Sequence, residues 1–144
     1  MEDIAVRVAQ AADAEALCRM NGEFNGPGLT SAAFIRKMLE SASGEIVVLA
    51  VCGLEPVGFC CMQVTRSVCY NEVGAELTEL YVREPYRRRG CAAQLVRFAE
   101  RVCKEAYRVE SVRLLTGRGN SAAQKLYVSL GYAPQNEVLY VKSI

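Results

Sequence analysis

The chain has 144 residues, 51% of them hydrophobic and 23% charged, with a formal net charge of +1. This is enough for one domain with a real core, and the composition excludes a disordered chain and a general polyanion binder. Histidine is absent, which excludes Ser-His-Asp and Cys-His catalysis and most catalytic zinc sites.

Residues 4–8 read as a short strand. Residues 12–24 then carry Ala16, Leu17, Met20 and Phe24 at helical spacing, with Asp13 near the start, where a carboxylate suits the helix dipole. The run NGPG at 25–28 breaks this helix, and Thr30 or Ser31 can cap a second one reaching Leu39. EIVVLAVC at 45–52 is a buried strand, and Gly53-Leu54-Glu55 turns into a second arm at 56–65. A polar connection around 67–71 leads to AELTELYV at 75–82, another strand. From Gly90 an apolar stripe of Ala92, Leu95, Val96, Ala99, Val102, Cys103 and Ala106 marks a helix. A strand at 111–115, a helix at 120–130 stopped by Gly131, and a last strand EVLYVK at 137–142 complete the chain. The order β-αα-β-β-β-α-β-α-β predicts a single α/β domain over 1–144: a mixed, mostly antiparallel twisted sheet flanked by helices.

The seven cysteines are odd in number, have no CxxC pair, and mostly sit in apolar runs where a reduced thiol behaves as a small hydrophobe. No basic-then-apolar leader opens the chain, and no apolar run approaches the ~20 residues of a membrane span. The expectation is a reduced, cytoplasmic protein with no metal, no membrane and no nucleic acid as partners.

YRRRGCAA at 86–93 sets three arginines at a strand–helix junction. A helix N-terminus offers unpaired N–H groups and partial positive charge, and Gly90 with the small Cys91 and Ala92 lets a diphosphate lie against the backbone. A solvated basic turn is the competing reading. Neither G-x-x-x-x-G-K-[ST] nor G-x-G-x-x-G is present, and the basic surface with exposed aromatics that RNA would need is missing.

Arg87-x-x-Gly90-x-Ala92 resembles the [Q/R]-x-x-G-x-[G/A] acetyl-CoA motif of the GNAT superfamily of N-acetyltransferases. Leu80-Tyr81-Val82 precedes it at the expected distance, and NSAAQKLYVSLGY at 120–132 resembles the family's second signature. Ala92 stands where glycine is the commoner residue. The resemblance implies that the backbone of Leu80, Tyr81 and Val82 runs beside the pantetheine arm as an added strand would. It also implies that N–H groups from Arg87 to Ala92, Cys91 included, hold the pyrophosphate, with Arg87, Arg88 and Arg89 near its oxygens or solvated. Asn120 would contact the cofactor near the pantetheine, and Tyr127 would point its hydroxyl at the CoA sulfur.

Acetyl transfer to an amine needs a proton acceptor, a donor for the oxyanion and an acid for the thiolate. Tyr127 matches the family acid, although it also lies on an apolar stripe with Ala123, Leu126 and Leu130. Glu76 and Glu79 are the candidate bases. Simple alternation puts them on opposite faces unless a bulge intervenes, so at most one is expected to face the substrate; a water chain is the alternative. Cys91 is expected to pack. Residues 21–29 and 67–72 would frame the acceptor, with Glu23, Phe24, Tyr70 and Glu72 favouring a small cationic amine, a peptide N-terminus or lysine being as compatible. The rival reading is a non-catalytic acyl-CoA sensor or interaction module. EVLYVK leaves a homodimer open.

Overall fold

A computed structural model describes residues 2–144. Chain order gives β1 (Ile4–Val8), α1 (Ala14–Asn25), α2 (Ala32–Glu40), β2 (Glu45–Cys52), β3 (Glu55–Ser67), β4 (Tyr70–Val82), α3 (Cys91–Tyr107), β5 (Val109–Leu114) and α4 (Ser121–Ser129). The strands lie in one sheet in the order β1-β2-β3-β4-β5. Every neighbouring pair is antiparallel except β4–β5, which is parallel because α3 carries the chain back across the sheet.

The near-continuous apolar run of β2 follows from burial on both faces. Ile46, Val48 and Ala50 pack with Leu95, Val96, Ala99 and Cys103 of α3. Val47 and Leu49 point the other way, onto Leu17 and Met20 of α1, with Ile35 and Leu39 of α2 beside them. Local chemistry sets the helix ends. The Ser31 hydroxyl accepts the Phe34 N–H at 3.1 Å and caps α2. α1 stops at Gly26, as the NGPG run predicts.

Two expectations change. The polar connection around 67–71 is absorbed into a longer hairpin, with Ser67 paired to Tyr70 across a two-residue turn. The last strand does not form: residues 137–142 pair with none of the five strands, and Val138, Leu139, Tyr140 and Val141 stay exposed. β-propensity in such a segment is realised only against a partner edge.

Candidate active site

β4 positions most of the site. Its pairing with β5 ends at Leu77↔Leu114, so the last five residues of β4 run on without a neighbour on that side. Arg83 donates its N–H to Val57 O across to β3 at 2.8 Å, so Tyr81 shares that direction and the backbones of Leu80 and Val82 point to the open side. Arg87 already uses one group there: its Nε donates to Val82 O at 2.7 Å, and its guanidinium lies 5.7 Å from the Tyr81 ring centre. The N–H and C=O of Leu80 and the N–H of Val82 are left along this edge.

At the head of α3 the backbone turns through Arg88 (φ 62°) and Gly90 (φ 77°) before the helix starts at Cys91. Among the described residues, no backbone N–H from 88 to 93 donates to a protein acceptor; the first bond into the helix is Gln94 N–H to Gly90 O. Six consecutive donors thus meet the positive end of a 17-residue helix. The side chain of Arg89 packs over Tyr86 and donates to Glu2 O at 3.2 Å, whereas Arg88 is exposed with no partner among the described residues. Cys91 is 2% exposed, and burial pushes its thiol up to about 11, so it packs as a neutral side chain.

The two glutamates of β4 do not follow simple alternation. Cys61 pairs with Glu79 and Met62 with Leu77, so Thr78 is an extra residue in β4, with its hydroxyl donating to Cys61 O. This bulge turns Glu76 and Glu79 to the same face, the one covered by α1 and α2. The expectation that at most one faces that side is therefore corrected. Three rows cross this face: Glu45–Gln63–Glu76, then Val47–Cys61–Glu79, then Leu49–Phe59–Tyr81.

Desolvation raises Glu79 above the usual carboxylate range, with Asn25 acting against it. Desolvation also raises Glu45, assisted by the charge of Glu79. Glu76 has a remote partner in Arg113, at 3.9 Å. Sequence reasoning missed Glu45; its signal was a carboxylate opening an otherwise apolar strand, on the face shared with Val47 and Leu49.

Tyr127 packs on the opposite face, against the α3-side core, and burial raises its phenol so that it stays protonated. Asn120 caps α4, its Oδ1 accepting the Ala123 N–H at 3.2 Å, and its amide NH2 has no partner among the described residues. The loop residues separate into two places. Phe24 stacks on Tyr81 at 5.1 Å, and Glu23 accepts from the Tyr81 hydroxyl and pairs with Arg83, so its charge is already answered. Tyr70 and Glu72 line a shallow hollow at the far end of the hairpin, with Tyr70 about 30 Å along β4 from Glu79. They do not join Glu23 and Phe24 around one opening.

A strand that outruns its parallel neighbour and leads into a helix whose first N–H groups have no partner among the described residues is the arrangement that the sequence resemblance implies. The chain belongs to the Acetyltransferase (GNAT) family, whose model matches residues 14–132. No curated protein matches it. Among solved structures it is similar to an aminoglycoside acetyltransferase from an uncultured soil metagenomic sample, with TM-score 0.84, 15% identity, and coverage of 98% of this chain and 95% of that one. It is also similar to the ribosomal-protein-alanine N-acetyltransferase of Brucella melitensis biovar Abortus 2308 (TM-score 0.81, 15% identity, 99% and 100% covered). A third is a transcriptional regulator from Bacillus halodurans C-125 (TM-score 0.84, 20% identity, 98% and 100% covered). At such identities the likeness shows the fold, and the three differ in what they are named for. Among the described residues no cluster of three metal-ligating side chains occurs, and no helix is long and apolar enough to cross a membrane.

Proposed function

We propose that this chain transfers an acetyl group from acetyl-CoA to the primary amine of a small cationic acceptor, by direct attack without an acyl-enzyme. The observation that carries the cofactor assignment is the row of six free N–H groups at 88–93 beside the unpaired edge of β4. The N–H groups hold the pyrophosphate, while Leu80 and Val82 offer backbone partners to the pantetheine amides. The fit is chemical: consecutive donors at a helix N-terminus match a diphosphate, and strand-edge groups match amides.

Glu79 is the base favoured by position. It sits at the bulge, next to the stretch where β4 leaves β5, and its raised pKa brings it nearer to the working pH of a base. Glu76, one row further in, and Glu45, across β3, add negative charge on the same face and favour a cationic acceptor. Bound acetyl-CoA supplies an activated thioester whose sulfur must leave as a thiol. Tyr127 holds the proton for that sulfur, and Asn120 has an amide donor available near it. The likeness to an aminoglycoside acetyltransferase is compatible with a polyamine-like acceptor, and the likeness to a ribosomal-protein acetyltransferase with a peptide N-terminus. The three carboxylates on one face favour the first.

Isothermal titration of acetyl-CoA into the parent and into Gly90→Asp tests the cofactor site. No atom lies within 4 Å of a Cβ added at Gly90, so the variant adds its charge without a clash, together with some backbone strain at φ 77° that aspartate bears better than most residues. Saturable binding by the parent, weakened at least about tenfold (~1.4 kcal/mol) in the variant, is expected. A parent that does not bind acetyl-CoA overturns the proposal.

A further inference from the structure

Tyr127 and Tyr132 are joined two ways, and Tyr132 is tied in turn to α3. The end of α4 is a Schellman motif: Tyr132 N–H donates to Tyr127 O at 3.0 Å and Gly131 N–H to Val128 O at 3.0 Å, with Gly131 at φ 96°. Only a residue at ease with positive φ closes this turn, which gives Gly131 its physical reason. The motif brings the two rings edge to face, with centroids 5.9 Å apart and planes at 69°. The Tyr132 hydroxyl then donates to Glu100 Oε2 on α3 at 2.7 Å, a short bond to a carboxylate.

α3 therefore carries two things on one rigid rod. Its first turn presents the free N–H groups proposed to hold the pyrophosphate. About 14 Å along, Glu100 anchors the tyrosine that abuts Tyr127. A ring packed only on its faces can rock, whereas one anchored through its neighbour to the element that seats the cofactor keeps its distance from that cofactor. Removing the hydroxyl of Tyr132 would leave the packing and the Schellman bonds in place and take away only the anchor.

We infer that Tyr132 and Glu100 are positioning residues that hold Tyr127 in register with the cofactor seated at the head of α3. The inference rests on the reading of Tyr127 as the acid for the departing sulfur, and the test separates the two. The probe reaction is the release of CoA from acetyl-CoA by hydroxylamine, corrected for the uncatalysed rate. Hydroxylamine is a small amine already neutral at pH 7, so it needs neither an acceptor pocket nor a base. The variants are Tyr127→Phe, Tyr132→Phe, Glu100→Ala, Glu100→Gln and the double variant Tyr127→Phe/Tyr132→Phe, each also titrated with acetyl-CoA.

Tyr127→Phe is expected to lower kcat by about 100-fold or more. Tyr132→Phe and Glu100→Ala should each lower it roughly tenfold, through misplacement of the acid, with acetyl-CoA affinity unchanged. Glu100→Gln, which keeps an acceptor oxygen, should recover most of the loss seen in Glu100→Ala. The double variant should be no slower than Tyr127→Phe alone, because the anchor acts only through Tyr127. A parent-like Tyr127→Phe overturns both the acid reading and the inference. A slowed Tyr127→Phe with a parent-like Tyr132→Phe overturns the positioning role alone. So does an equal loss from Tyr132→Phe in both backgrounds, or a loss of acetyl-CoA binding with the hydroxyl, since either makes that hydroxyl merely structural.

Discussion

Glu79 combines the placement proposed for the base with a cost to folding. Desolvation raises its folded-state pKa above the ordinary 4.5. Between that value and the raised one, the folded chain keeps a proton that the unfolded chain has lost, so its contribution to stability falls as pH rises. Glu79→Gln is therefore expected to raise Tm at pH 7, with the gain shrinking as pH falls through the raised value and gone below 4.5, while acetyl transfer to an amine falls by about 100-fold. Thermal melts at the two pH values, run beside an activity assay, check both halves. A Tm that drops at pH 7 would mean that Glu79 has a stabilising partner in place of a desolvated, cleft-facing role. The identities of Glu76 and Glu79 as the acids of β4 were legible in AELTELYV. Their shared face was not, because it depends on one extra residue, Thr78, whose presence shows only in the pairing with β3.

The proposed pantetheine edge of β4 is held firmly by β3 on one side and outruns β5 on the other. Gly58 lies opposite Val82, and a Cβ added there would sit 2.7 Å from the Tyr81 carbonyl and 3.3 Å from Leu95 Cδ1. The first contact is with backbone, so β3 and β4 would have to part. Gly58→Ala is expected to lower stability by about 1–3 kcal/mol. It should also weaken acetyl-CoA binding, because the displaced segment is the one proposed to meet the pantetheine. Denaturant melts and the same titration used for Gly90→Asp measure the two effects, and unchanged affinity would separate this segment from the cofactor. The turn YRRRGCAA, the helix after it and the α4 signature were readable as elements because their signals are local: a glycine followed by small residues at a helix start, and an apolar stripe. That β4 outruns β5 could not be read, since the end of a strand's pairing is set by its neighbour.

The helical layer is tied to the edge of the sheet through Arg7 of β1 and Asp13 at the entry to α1. Two hydrogen bonds, of 2.7 and 2.9 Å, join them, and Asp13 also accepts from the Gln10 N–H. The Arg7 guanidinium holds the Asp13 carboxyl below its ordinary 3.8. Its stabilisation is thus present above 3.8 and is lost as pH falls through the lowered folded value. Asp13→Asn is expected to cost about 1 kcal/mol at pH 7, discounted for the half-exposed arginine, and the difference from the parent should close in acid. Acid titrations of the two proteins by circular dichroism check this; a parent and variant that unfold alike at every pH would show the pair to be idle. By itself the sequence determined the single α/β domain, the order of the elements up to residue 132 apart from the length of the β3–β4 hairpin, the packed cysteine at the start of α3 and the motifs of the family, since each is written in spacing between near neighbours. Tertiary structure alone decided that Glu45, Glu76 and Glu79 share a face, that Glu23 is spent on Tyr81 and Arg83, that Tyr70 and Glu72 lie far from the site, and that residues 137–142 stay unpaired. Faces, ion pairs and strand edges belong to pairs of distant segments, and a one-residue change of register is enough to redirect them.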